Sequence, residues 1–217
     1  MGVPRWGRYI HSPMFESFDF PYPSQRMPVL ARNVVATSQP LAAQAGLRML
    51  LDGGNAIDAA LATAIALTVV EPTSNGIGSD AFAIVWDGST LHGLNASGRS
   101  PAKWSADFFK NRFDAMPLRG WHSVTVPGAV SAWIDLSSRF GALPFEKLFG
   151  PAIEYARDGY IVSPITAKAW QRSVEIFKAF PTFLQTFAPN GRAPRAGEIF
   201  RSEAHARTLE LIARSRG

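Results

Sequence analysis

Four groups of residues in this chain of 217 amino acids have the types and spacing to do chemistry. The first is the run Gly76-Ile77-Gly78-Ser79-Asp80. It lacks the spacing and the lysine of a phosphate-cradling loop, and a strand, not a helix, is expected to follow it. Its glycines are expected to allow a tight backbone path near a reaction centre, and Asp80 to be a buried carboxylate satisfied by backbone N–H groups; simple loop geometry is the alternative. The second is the polar loop Ala96-Ser97-Gly98-Arg99-Ser100-Pro101, with Asn95 just before it. The third is Glu71, preceding Pro72, which is either a general base or a solvated or capping carboxylate. The fourth is the set His11, His92, His122 and His205, too dispersed for metal-ligand spacing and without a His-x-x-x-His pair, so no metal site is expected. The chain has no cysteine, which excludes disulfides, thiolate metal sites and a cysteine nucleophile.

The element that must position these groups is the stretch Leu51 to Ser79. Gly53 and Gly54 suit the left-handed residue that ends a helix. Asn55 can cap the next helix, and Asp58 puts negative charge near the positive end of its dipole. From Ala56 to Val70 only Asp58, Thr63 and Thr68 interrupt an apolar run. A helix apolar on all sides is a core element or a membrane span. A span needs roughly 20 apolar residues, so this one is expected at the centre of a packed domain. The small residues Ala59, Ala60, Ala62, Thr63, Ala64, Ala66 and Thr68 should let neighbouring backbones come close.

Composition agrees with a packed domain: 47% of residues are hydrophobic and 18% charged. The net charge of +5 comes from basic residues scattered singly, not from a run or stripe, so no nucleic-acid partner is expected. The first six residues, Met1 to Trp6, open no apolar signal region, and Trp6 occupies the position where a myristoylation signal wants Ser or Thr. The expectation is a cytoplasmic protein with no membrane partner. Residues 1–30 are rich in proline and aromatics and are expected to form an extended arm, with a partner-binding segment as the alternative. The domain proper is expected over residues 31–217.

Within that domain, Asn33 to Ser38 reads as a β-branched strand and Pro40 to Leu51 as a helix packing through Leu41, Ala45, Leu47, Met49 and Leu50. Ala81 to Trp86 and Thr90 to Asn95 read as a hairpin around Asp87-Gly88. His122 to Val126 reads as a further strand, followed by helices from about Ala129 to Phe140, in Pro144 to Leu148, in Pro151 to Arg157 and from Pro164 to about Phe180. Gly191 to Gly197 is a Pro/Gly/Arg linker, and Ser202 could cap a last helix from Glu203 to Ala213. Trp133, Trp170 and Phe177 are expected in the core. This mixture is α/β or α+β, and patterning alone does not choose between them.

Five stretches, in order, resemble the N-terminal part of the large subunit of the gamma-glutamyltranspeptidase (glutathione hydrolase) family. They are V-V-A-T-S-Q-P-L-A-A-Q-A-G-L from Val34, D-G-G-N-A-I-D-A-A from Asp52, V-V-E-P-T-S-N-G-I-G-S-D-A-F from Val69, T-V-P-G-A-V-S-A-W from Thr125 and G-P-A-I-E-Y-A-R-D-G-Y-I-V-S-P from Gly150. The resemblance implies part of an α+β N-terminal nucleophile hydrolase fold, an αββα sandwich. It also implies a precursor that cuts itself, exposing a threonine at the start of a small subunit. That threonine attacks a γ-glutamyl amide with its own α-amino group as base, and the acyl group passes to water or an amine. No metal or organic cofactor is required, and the implied partners are the amide substrate and the small subunit.

The family's processing motif, Thr followed by Thr or Ser and then His, does not occur here, so no catalytic residue is expected in this chain and the chain alone should be inactive. The family also implies an arginine in the loop after the second strand of the hairpin, gripping the substrate α-carboxylate, a task suited to the guanidinium fork. Arg99 is the candidate. The usual pattern has Arg-Glu two residues before Ala-Pro; aligned on Pro101, that arginine falls on Ser97 and its glutamate on Gly98, so Arg99 is displaced by two. Arg99 and Ser97 are therefore the expected substrate-binding residues, with Ser100 and Asn95 lining the same pocket. The alternatives are a related acylase or amidohydrolase acting on a non-glutamyl amide, and a non-catalytic scaffold that keeps half the fold.

Overall fold

Asn55 starts the helix at the centre of the core. In the computed structural model, which describes residues 29–217, its Oδ1 accepts the backbone N–H of Ile57 (2.9 Å) and Asp58 (3.1 Å), while Asp58 Oδ2 accepts the Asn55 N–H (2.8 Å). This reciprocal capping box satisfies donors that would otherwise be orphaned at the helix start. Helix α2 then runs Ala56–Val70 and buries Leu61, Ile65, Val69 and Val70, leaving Ala56 and Ala60 exposed. Each such large side chain contributes about 1.5–3 kcal/mol on burial. The Pro/aromatic arm expected over residues 1–30, and His11 with it, lies outside the described residues except for its last two positions.

Helix α1 (Pro40–Leu51) leads into α2. Gln39 caps it through Oε1, and it ends with the Gly54 N–H on the Met49 carbonyl (2.8 Å) and the Gly53 N–H on the Leu50 carbonyl (3.4 Å). Gly53 has φ 88, the left-handed residue such an ending requires. The two helices touch at Gly46: a Cβ there would stand 2.2 Å from Thr63 Oγ1 and 2.8 Å from the Ala59 carbonyl oxygen. The close approach expected from α2's small residues therefore depends on a glycine of α1. Ala45 and Met49 are buried as expected, whereas Leu47 is exposed on the outer side.

Strands β1 (Ala81–Trp86) and β2 (Leu91–Ala96) pair antiparallel, from Ala81 opposite Ala96 to Trp86 opposite Leu91. Asp87 closes the turn, its Oδ1 taking the N–H of Ser89 and Thr90 at 2.8 Å each, with Gly88 at φ 101. Val85, His92 and Leu94 face Leu136 and Phe140 of α4 (Ala129–Phe140). The opposite face carries Phe82, Ile84, Trp86 and Leu91, each more than 60% exposed. Asp58, fully buried, also takes the N–H groups of Ala142 and Leu143 at 3.1 to 3.3 Å, and Asn55 Nδ2 donates to the Phe140 carbonyl (2.6 Å). The start of α2 is thereby stitched to the end of α4.

A 3-10 turn at Phe145–Phe149, α5 (Gly150–Asp158) and α8 (Glu203–Ser215) complete the core through Leu148, Phe149, Ala152, Ala156, Ala206 and Leu209. Arg157 joins α5 to α8 through Glu203 (3.4 Å) and Glu210 (3.0 Å). The short strands β3 (Tyr160–Ile161) and β4 (Ile199–Phe200) pair antiparallel. Trp170 of α6 (Pro164–Phe177) is buried against Phe200 and Phe187, and its Nε1 donates to the Phe187 carbonyl (2.8 Å). Trp133 is likewise buried, and Phe177 is half-buried among Phe180 and Phe183.

With both sheets antiparallel, the class is α+β. Several local expectations differ from the structure. Asn33 to Ser38 and His122 to Val126 are not strands: β-branched residues supply the propensity, but among the described residues neither segment has a ladder partner, and Trp121–Ser123 is a 3-10 turn. Helix α6 stops at Phe177, and the residues beyond it form a separate helix, α7 (Pro181–Phe187), because Pro181 sits at its first turn. The short helix α3 (Ala106–Lys110), capped by Ser105, also carried no apolar period to betray it. Ser202 precedes α8 but gives no side-chain cap; its N–H goes to the Ala156 carbonyl instead (2.7 Å).

Candidate functional site

Three segments meet at one end of the hairpin: the turn ending at Ser79, the loop from Asn95 to Ser100, and Thr125 to Gly128 leading into α4. The Ser79 carbonyl accepts the N–H groups of Gly128 (3.1 Å) and Ala129 (3.0 Å), two first-turn donors that no side chain caps. Glycine is required at both facing backbones. A Cβ on Gly128 would lie 2.1 Å from the Ala96 carbonyl oxygen; one on Gly98, at φ 80, would lie 2.0 Å from the Val126 carbonyl oxygen. The Val126 N–H donates to the Arg99 carbonyl (2.9 Å), Thr125 Oγ1 donates to the Ser97 carbonyl (3.3 Å), and Asn95 Oδ1 accepts the Ser97 N–H (3.0 Å).

The loop backbone is thus fixed on both sides, and Ser97 and Arg99 are both solvent-exposed on it. Arg99 forms no ion pair among the described residues. An unpaired guanidinium on a fixed backbone can receive a carboxylate without first breaking a salt bridge. Ser100 is exposed beside it, while the Asn95 side chain is engaged in the turn. Sequence reasoning passed over Thr125, Gly98 and Gly128 as site-builders. Both glycines were visible, but nothing local says which backbone each lies against.

The remaining candidates resolve differently. Asp80 is exposed, not buried; the buried carboxylate held by backbone N–H groups is Asp58. At Gly76 and Gly78 an added Cβ would meet nothing within 4 Å among the described residues, so no contact there requires glycine. Glu71 stands at the C-cap position of α2, and its carboxylate accepts from Ser38 Oγ and from Asn75 Nδ2 (3.3 Å). His92 bonds Asp87 (2.7 Å) and lies 5.0 Å from the Phe140 ring, which makes it part of the hairpin. That partner and the turn N–H groups hold the Asp87 carboxyl well below the usual carboxylate range. His122 packs against Phe108 and Phe113. His205 is mostly buried with Nε2 3.4 Å from Thr68 Oγ1, and burial pushes its pKa down. Among the described residues no group of His, Asp and Glu could hold a metal ion, and no helix is long and apolar enough to cross a membrane.

This arrangement of helices and antiparallel hairpin is part of an N-terminal nucleophile hydrolase fold. It superposes on a cephalosporin acylase from Bacillus halodurans with TM-score 0.81 at 50% identity, covering 94% of this chain and 40% of that one. On the Helicobacter pylori gamma-glutamyltranspeptidase the TM-score is 0.82 at 27% identity, covering 88% and 56%. In sequence it is 36% identical over 185 residues to a Bacillus subtilis glutathione hydrolase-like proenzyme, covering 84% of this chain and 35% of that protein. The sequence model of gamma-glutamyltranspeptidase matches residues 42–217. The chain belongs to the gamma-glutamyltranspeptidase family. It spans about a third of the length of the curated relatives it matches.

Proposed function

We propose that these residues are the large-subunit part of a self-processing amidohydrolase that cleaves γ-glutamyl amide bonds and passes the acyl group to water or an amine. The attacking threonine lies outside these residues, in the small subunit of the same precursor; the family's proenzyme relatives support this. Arg99 holds the anionic end of the substrate, with Ser97 beside it. The observation that carries this reading is the exposed Arg99, without an ion-pair partner among the described residues, on a loop fixed by Val126, Thr125 and Asn95. A bidentate carboxylate pair uses two parallel N–H···O bonds, and its loss from a binding site costs on the order of 10- to 100-fold in affinity.

The test uses the full-length protein. Arg99→Ala should raise KM for a γ-glutamyl anilide severely while leaving kcat much less affected, and Arg99→Lys should recover only part of the loss. An unchanged KM removes Arg99 from the site.

A second reading, an acylase acting on a non-glutamyl amide, is favoured by the 50% identity to a protein named a cephalosporin acylase, against 27% to the gamma-glutamyltranspeptidase structure. The two-residue displacement of Arg99 points the same way. Comparing kcat/KM of the full-length enzyme on γ-glutamyl anilide and on simple acyl amides separates the two.

A further inference from the structure

The Pro/Gly/Arg segment before β4 has no part in the site above, yet it is built with care. Glu198 accepts both Nη atoms of Arg192 at 2.9 Å and the Arg195 N–H at 2.9 Å. Arg192 Nη1 also donates to the Ala193 carbonyl (3.0 Å). The segment is anchored to the body by the Gly197 N–H on the Val162 carbonyl and the Val162 N–H on the Glu198 carbonyl, both 2.9 Å. Held by Arg192, the Glu198 carboxyl is pulled down to about 2, so it stays charged and committed to this clamp.

Beside the clamp is an open hollow of about 420 Å³. Ala167 and the buried Ala193 line its apolar part; Lys168, Gln171, Arg192 and Arg195 are the polar lining, and no acidic residue lines it. Lys168 and Gln171 lie one turn apart on α6, so they share a face. Arg192 is neutralised by Glu198, whereas Lys168 and Arg195 form no ion pair among the described residues. Lys168, Arg192 and Arg195 set three positive charges around the hollow against the single carboxylate of Glu198, which Arg192 holds and Arg195 also feels, and this excess of cations with an amide donor on a fixed backbone attracts negative charge.

We propose that this hollow binds a compact dianion: a fork from Arg195, a point charge from Lys168 and an amide N–H from Gln171 suit a tetrahedral phosphate or a short dicarboxylate. The volume exceeds that of one such group and leaves room for a small organic body attached to it. None of its lining residues belongs to the segments that carry Arg99, so occupancy here is independent of the amide substrate proposed for that site.

The test titrates the full-length protein with inorganic phosphate and, separately, with succinate, by calorimetry at low ionic strength. Saturable binding of either is expected, with phosphate alone marking a phosphate site and both marking a general dianion site. Lys168→Ala with Arg195→Ala should weaken Kd at least tenfold, and Lys168→Glu should abolish binding. Both side chains are exposed, so the variants should melt as the parent does. For a charge-reversed protein that does not fold, Lys168→Met and Arg195→Gln give the same reading. Absence of saturable binding of either anion at 10-millimolar concentration (roughly two orders above a useful intracellular affinity), or unchanged Kd in the neutralised variant, overturns the proposal. Loss of amidase activity in Arg99→Ala with dianion binding intact would affect only the reading of the other site.

Discussion

Removing the Asp58 carboxylate should be the most damaging single change to the region that carries the candidate site. The side chain is fully buried and is the acceptor for three backbone N–H groups, those of Asn55, Ala142 and Leu143. In Asp58→Ala all three donors lose their partner where water has poor access. Leaving a buried donor unsatisfied costs about 1–3 kcal/mol each. Water admitted into the space would repair some of them, so a loss of about 3–5 kcal/mol is expected, at the upper end of single substitutions. Asp58→Asn keeps one acceptor oxygen and turns an NH2 toward a cluster of donors, so about 2 kcal/mol is expected. Because Asn55 bonds the Phe140 carbonyl as well as α2, Asn55→Ala and Asp58→Ala should be strongly non-additive. Urea unfolding followed by the fluorescence of the buried Trp133 and Trp170 measures this. An Asp58→Ala variant within about 0.5 kcal/mol of the parent, the range of ordinary surface changes, would refute the assignment of this carboxylate as the stitch between α2 and α4.

Other consequences are as direct. Gly46→Ala should lower stability by about 1–3 kcal/mol through overpacking, and Thr63→Ala should restore part of it by removing the oxygen that a new Cβ would meet; an additive pair in the same unfolding assay would contradict the contact. The chain of residues 1–217 should self-associate through the bare hairpin face, and Ile84→Lys with Trp86→Lys should reduce this; a monodisperse parent by light scattering would contradict it. His205 is neutral and mostly buried, with its folded pKa below the ordinary 6.5. Above that value both states are neutral; as pH falls through it the unfolded chain gains a proton first, so stability falls toward acid pH. Melting temperature should decline from pH 7 toward pH 5 more steeply in the parent than in His205→Gln.

How much of this was legible in the sequence depends on whether the cause was local. The cap at Asn55, the stop at Gly53 and the Asp87-Gly88 turn are decided within a few residues, and they read correctly; that Asp58 also closes a capping box by accepting the Asn55 N–H came from the structure. Asp80 and Asp58 show the limit: both are carboxylates near helix or loop boundaries, but only the fold brings Ala142 and Leu143 to one of them. Gly98 and Gly128 were visible as glycines, while the carbonyls they must avoid come from segments some 30 positions away. The segments Asn33 to Ser38 and His122 to Val126 have strand-forming residues and no partner among the described ones, which propensity cannot reveal. Arg99 and Ser97 were singled out by resemblance, and the structure adds the fixed backbone that holds them.

The central claim is that these residues support a nucleophile carried elsewhere on the same polypeptide. Intact mass and N-terminal sequencing of the purified full-length protein, alongside its activity on a γ-glutamyl anilide and on simple acyl amides, test it most directly. The account predicts two polypeptides, the downstream one beginning with threonine, and amide hydrolysis that residues 1–217 alone do not show. A single uncut chain without amidase activity, or turnover by residues 1–217 in isolation, would contradict it.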